Sequence, residues 1–245
     1  MTHKTNGIIL RVVQYGETSL IVTVLTELFG LQSYMVKGVR TVSKKGASKA
    51  AFFQPGSLLE MEVYHNEHKN LNFIKEYKWA VLYEHLFSDV IKNAVSLFMI
   101  ELLQKTMRQP EENTDLFHFC EDAFLLLDKS IPSVTANFPL FFALQLPSLL
   151  GFQLADDFSE ENHILDLQNG VYTNEMPHHT YTVLPPYSQY ISELLKARRP
   201  EETTALPLNR DIRRKLLHYL EDYYMLHLPD FTRMKTLPVL FELLG

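Results

Sequence analysis

Five cations stand within thirteen residues: Lys37, Arg40, Lys44, Lys45 and Lys49. No acid occurs between Glu27 and Glu60. Gly38, Ser43, Gly46, Ala47 and Ser48 lie among the cations, so the segment reads as a flexible loop. Mobile cations and a backbone that can be approached closely are what phosphate binding requires. A solvated surface loop has the same composition, so the cluster alone leaves both readings open. Arg11, near the start of the chain, is a further candidate for phosphate contact. Nothing in this set is built to read base edges, so contact would carry little sequence specificity.

A second basic cluster holds Arg198, Arg199, Arg210, Arg213, Arg214 and Lys215, offset in part by Glu201, Glu202 and Asp211. Arg213 and Arg214 fall in the first turn of a helix capped by Asn209, where the macrodipole disfavours cations by roughly a few tenths of a kcal/mol. A partner must offset that cost. It is either the neighbouring Glu201, Glu202 or Asp211, or an acidic external ligand.

Other reactive residue types form no site. His65-x-x-His68 and His178-His179 lack a completing Cys or carboxylate set and read as surface histidines. Cys120 lies on an apolar helix face and reads as core. Asp156-Asp157 lacks the EF-hand spacing and reads as a solvated turn. Tyr219, Tyr223 and Tyr224 read as core and rim. The G-x-S-x-G, G-x-x-x-x-G-K-[ST] and G-x-G-x-x-G patterns are absent. These readings point to a protein that is not an enzyme and uses neither a metal nor another cofactor.

The elements that must position the cations come in two kinds. Up to about residue 79 the pattern is of strands: Gly7–Val13, Ser19–Leu25, Leu31–Val36, an alternating run over 59–64, and a fifth beginning at Leu71 and Phe73. Turn material separates them, which suggests a small antiparallel barrel with the basic loop between its third and fourth strands. Such barrels commonly bind nucleic-acid strands. After Trp79 the period becomes helical. Helices are expected from Phe87 to Gln109-Pro110, over 114–127, over 136–150, over 187–197, from Asn209 to Pro229, and over 236–244. Residues 152–184 are irregular, and Asn169-Gly170 suits a type I′ hairpin. The division is therefore 1–80 and 81–245, in an α+β chain of two domains.

Charge marks the same boundary. Residues 1–80 carry 10 basic and 6 acidic side chains, and residues 81–245 carry 13 and 23. The whole has formal net charge −6, but its uneven division excludes a uniformly acidic globule. One cysteine excludes an intrachain disulfide and fits a cytoplasmic location. The most apolar stretch, 138–152, is about 15 residues and shorter than the ~20 needed to span a bilayer, so it reads as a buried helix.

Four stretches in order resemble the RecO family of bacterial recombination mediators. They are Gly7–Arg11 with Tyr15–Ser19 and Ile21–Thr26; Gly30-Leu31 with Val36–Arg40; Gln54–Glu60; and Leu216–Leu220 with Met234–Leu240. The resemblance implies an oligonucleotide-binding (OB) barrel followed by an all-α domain. It also implies binding of single- and double-stranded DNA, strand annealing, and assistance in loading recombinase onto DNA coated with single-strand-binding protein. Lys37, Arg40 and the loop lysines would be DNA contacts. RecR would be a partner. The helical domain would take the acidic-apolar C-terminal tail of the single-strand-binding protein, for which Arg210, Arg213, Arg214 and Lys215 are the candidates here. Many members of the family carry a four-cysteine zinc module in the second domain. Residues 152–184 contain no cysteine, so no zinc is expected and packing of Phe152, Phe158 and Tyr172 would replace it. The competing class is a protein-only adaptor in which the basic loop is merely solvated.

Overall fold

The computed structural model describes residues 2–40, 49–107 and 111–244. Five strands, β1 (Thr2–Tyr15), β2 (Ser19–Thr26), β3 (Gly30–Val36), β4 (Leu58–Tyr64) and β5 (Asn72–Trp79), close into a barrel in the order β1-β2-β3-β5-β4. All neighbours are antiparallel except β3 and β5, whose parallel pairing closes the ring. This is the OB barrel expected, with one parallel seam.

β1 is twice the expected length because it serves two neighbours. Thr2–Ile8 pairs with β4 and Gly7–Tyr15 with β2. A bulge between Ile9 and Arg11 shifts the register. Ile8, Ile9 and Leu10 are consequently all buried, and Arg11 is turned outward. Inside the barrel, alternate residues Leu20, Val22, Val24, Tyr34, Met61 and Val63 pack together. Gly7 is closely packed: a Cβ there would collide with Met61 Cε and stand 2.6 Å from Val24 Cγ1.

The chain forms two compact units, Met1–Glu84 with Met107–Leu125, and His85–Thr106 with Leu126–Gly245. The second contains α1 (Val90–Thr106), α3 (Pro132–Leu150), α4 (Tyr187–Leu195), α5 (Arg210–His227) and α6 (Thr236–Leu243). Helix α2 (Thr114–Lys129) falls mostly in the first. The expected end of the first helix at Gln109-Pro110 lies outside the described residues; α1 stops at Thr106.

α3 is apolar all round and packs against α1, α4 and α5. At 19 residues it is longer than expected and meets the length and hydropathy of a membrane span, but most of it is buried inside the protein. Its extra turn begins at Pro132, at a position where a proline removes no helical hydrogen bond. Pro147, inside the helix, has no N–H to offer the Ala143 carbonyl. The buried Tyr224 hydroxyl donates to that carbonyl at 2.9 Å instead. The bond satisfies the carbonyl that Pro147, one of the two prolines inside the helix, leaves without a helical donor.

Residues 152–184 carry a three-stranded sheet, β6 (Ile164–Asp166), β7 (Val171–Thr173) and β8 (Thr182–Val183), with β6 central. β6 and β7 form the expected hairpin, but its connection is four residues and not a two-residue type I′ turn. Asn169 keeps negative φ and only Gly170 is left-handed, at +69°. The Asp166 carboxylate fixes this geometry by accepting the Gln168 and Asn169 amides at 2.8 and 3.1 Å.

Candidate nucleic-acid interface

The bulge in β1 presents Arg11 on the outer face of the barrel, opposite Thr23 of β2. Lys37 directly follows β3, is exposed, and holds its ammonium 5.0 Å above the Phe73 ring. Among the described residues, no carboxylate pairs with Arg11 or Lys37. Arg40 is half-buried and pinned. Its backbone amide donates to Thr18 O at 3.0 Å and its guanidinium to Gly16 O at 2.9 Å, tying the start of the basic segment to the β1–β2 turn. Arg40 therefore anchors the loop as well as adding charge. Lys44 and Lys45 lie outside the described residues. Lys49 is exposed and opens a 3-10 helix, Lys49–Phe53, which holds its end of the segment in place. Phe53 enters the barrel core and Phe52 stacks on Trp79, ring centroids 4.6 Å apart.

The strand register also aligns a feature that the sequence reading missed. Val13 pairs with Ile21, Ile21 with Met35, Met35 with Phe73, and Phe73 with Tyr64. All five point outward, and Val13, Phe73 and Tyr64 are 43%, 36% and 47% exposed. Within each strand, Ile21 and Met35 lie opposite the buried side chains beside them. Only the pairing shows that they form one row.

Near the other end of β2 and β3, Thr23, Gln32, Ser33, His65, Lys69 and Asn70 help to line a cleft of about 510 Å³. His65 is not an ordinary surface histidine. It stacks on Phe29 at 3.8 Å and 11° between planes, with His3 edge-on to both rings. Burial, and next the nearby His3, hold its pKa below the usual imidazole value.

On α5 the four candidate cations have different surroundings. Asn209 caps the helix by accepting from Ile212 N at 2.9 Å, as expected. Arg210 is exposed. Arg213 is half-buried and donates to Leu208 O at 2.6 Å, and burial lowers its pKa. Arg214 stands 4.9 Å over the Phe241 ring, and Lys215 is 5.4 Å over Tyr219. The internal partners are thus a carbonyl and two rings, in place of Glu201, Glu202 or Asp211. Glu202 instead accepts from the Arg198 amide.

Arg214, His218, Met234, Leu237 and Phe241 help to line an open groove of about 440 Å³. Glu221, 4% exposed, organises its wall by accepting from Met234 N at 2.6 Å and Arg233 at 2.7 Å. The Glu221 hydrogen bond raises the Arg233 pKa.

The family's zinc module does not fit the residues present. Among the described residues no group of three or more His, Cys, Asp or Glu could hold a metal ion. Of the three aromatics expected to pack together, Phe158 lies edge-on to Tyr172, whereas Phe152 packs against Tyr223, Tyr224 and His227. Polar bonds add to this packing. Asp166 also accepts from Asn169 Nδ2 at 2.7 Å, and His179 Nε2 stands 3.2 Å from it, so His179 belongs to the hub and not to the open surface. Burial alone would raise the Asp166 pKa, but hydrogen bonds led by Asn169 outweigh it and hold the carboxyl below its ordinary value. Asp156 and Asp157, read as a solvated turn, accept from Ser192 Oγ and the Tyr172 amide.

A closed five-strand barrel of OB order, with cations on its outer face and a helical region following in the chain, defines the class: an OB-fold α+β protein. Residues 1–83 match the family described as Recombination protein O N terminal, and residues 88–237 that described as Recombination protein O C terminal. The chain is 35% identical over 245 residues to the DNA repair protein RecO of Bacteroides fragilis, covering 99% of both. It is 32% identical over 242 residues to that of Flavobacterium psychrophilum, again 99% of both, and 30% over 243 to that of Porphyromonas gingivalis, 98% of both. The chain belongs to the RecO family of DNA repair proteins.

Proposed function

We propose that the protein is a non-enzymatic, cytoplasmic recombination mediator. It binds single- and double-stranded DNA, anneals strands, and assists recombinase loading on DNA coated with single-strand-binding protein. The observation that carries the reading is the pair of exposed cations without carboxylate partners among the described residues, Arg11 and Lys37, on an OB barrel. Arg40, Lys44, Lys45 and Lys49 complete the phosphate-contacting set, with residues 1–80 acting as the DNA-binding domain. Residues 81–245 act as the docking domain, in which 152–184 takes the place of a zinc module. There Arg210, Arg214 and Lys215, with Arg213 behind them, receive the acidic tail of the single-strand-binding protein. RecR is the further partner.

Phosphate neutralisation releases counterions, so affinity for DNA must fall steeply with salt. A gel-shift titration with single-stranded DNA at two salt concentrations tests this. Binding that is absent, or indifferent to salt, overturns the reading in favour of a protein-only adaptor.

A further inference from the structure

We propose that the cleft beside β3 is a docking site for a protein partner, which lays an extended segment carrying Lys or Arg along the free edge Leu31–Ser33 as an added strand. The proposal goes beyond the DNA-binding reading and does not depend on it. β2 covers one edge of β3 from Gly30 to Val36. On the other edge β5 pairs only with Tyr34 and Met35, through Asn72 and Phe73. Before Asn72 the chain turns away into the β4–β5 loop. The space left between is the cleft, lined by Leu31, Gln32 and Ser33 on one side and by His65, Lys69 and Asn70 on the other. The loop is held in place: Asn66 N donates to Asn72 Oδ1 at 3.1 Å, and His68 N donates to Asn66 Oδ1 at 2.9 Å. At the start of β3 the Glu111 carbonyl packs on Gly30, where a Cβ would collide with it. Between these limits Leu31, Gln32 and Ser33 pair with no second strand among the described residues. Three residues at ~3.3 Å each give roughly 10 Å of edge, enough to register a short extended segment.

The edge and its surroundings select the occupant. A strand edge offers N–H and C=O groups at a repeat that a polypeptide matches and a sugar-phosphate backbone does not. Glu67 and Glu112 line the cleft and outnumber its lysine, Lys69. All three are exposed, and none makes an ion pair or a side-chain hydrogen bond among the described residues. His65, with its lowered pKa, adds no positive charge at neutral pH. The surplus of negative charge repels a phosphate chain and attracts a cationic side chain. Leu28, Phe29 and Leu31 add an apolar wall, which suits the stem of Lys or Arg while its head meets a carboxylate. Lys37 stands just past the far end of β3. A polyanion and a cationic segment are thus drawn to opposite ends of one strand.

The test uses the isotope-labelled full chain and a heptapeptide alternating valine with lysine, with a valine–glutamate counterpart. NMR follows the backbone amide signals and their hydrogen exchange. The lysine peptide should shift the amides of Leu31–Ser33 and of the β4–β5 loop, and slow exchange at the free edge roughly tenfold or more. The glutamate peptide should do neither. Methylating the backbone nitrogens of the lysine peptide removes its donors and should abolish the protection. Glu67→Lys with Glu112→Lys should weaken the lysine peptide roughly tenfold. Both side chains are exposed and unpaired among the described residues, so the fold does not depend on them. Amides at Leu31–Ser33 that do not respond to the lysine peptide overturn the docking site. Protection that survives methylation overturns the added strand, and an affinity unchanged by the double substitution overturns the selection by charge. The same amides shifted by oligo-dT, or by raising the concentration of the protein itself, would overturn the assignment in favour of a nucleic-acid strand or a second copy.

Discussion

The barrel and α5 each display a cluster of cations, and the two clusters are built differently. On the barrel, Arg11 on β1 and Lys37 just after β3 are exposed, and Arg40 is the member tied to backbone, through Gly16. On α5, Arg213 is bonded to the Leu208 carbonyl, while Arg214 and Lys215 lie over aromatic rings beside two open grooves. The first arrangement suits a diffuse polyanion met from many directions. The second suits a short ligand that combines negative charge with an apolar group, because each ring presents its face below a cation. The same residue types thus differ in availability.

The largest expected difference comes from reversing the loop. Lys44→Glu with Lys45→Glu and Lys49→Glu should abolish oligonucleotide binding in a gel shift and leave capture of an acidic-apolar peptide intact. Undiminished DNA binding would remove the loop from the interface. Next, Arg214→Glu should weaken that peptide about tenfold, as for loss of a charged hydrogen-bonding group, without changing DNA affinity; isothermal titration of both ligands decides it. A peptide affinity left untouched would place the tail elsewhere.

Arg213→Ala should act on stability, costing about 1 kcal/mol for a half-exposed bond to a carbonyl. Urea unfolding measures that loss. A change in peptide affinity larger than the change in stability would mean that Arg213 faces the ligand after all.

The smallest effect concerns pH. Asp166 has a folded pKa below its unfolded value, so its contribution is present above an unfolded pKa of about 4. It is lost as pH falls through the folded value. Acid should therefore loosen residues 152–184, and Asp166→Asn should flatten that dependence below about pH 4. Hydrogen exchange of the Gln168 and Asn169 amides across this window reports it, and identical profiles in both chains would exclude Asp166 as the cause.

How much was legible follows from the range over which each property is set. The strands and the acid-free basic segment could be read because alternation and charge are local. So could the Asn209 cap, whose bond to Ile212 spans only three residues. The partner of the Ala143 carbonyl could not, since it is a hydroxyl from Tyr224, 81 residues away in sequence. His179 looked like surface for the same reason: its partner Asp166 reaches it through the β6–β8 pairing. Arg213 and Arg214 had acids close by in sequence, but helix geometry directed one to a carbonyl and the other to Phe241 of α6.

By itself the sequence determined the change from strands to helices after Trp79, the OB barrel, the absence of cysteine from 152–184, and the residues carrying the charge. Tertiary structure alone decided which cations face outward and which are held inside, and it aligned Val13, Ile21, Met35 and Phe73 into one row. The physical reason is that periodicity specifies which face of a strand a side chain occupies. Register specifies which side chains stand beside one another, and register is a property of pairs of strands.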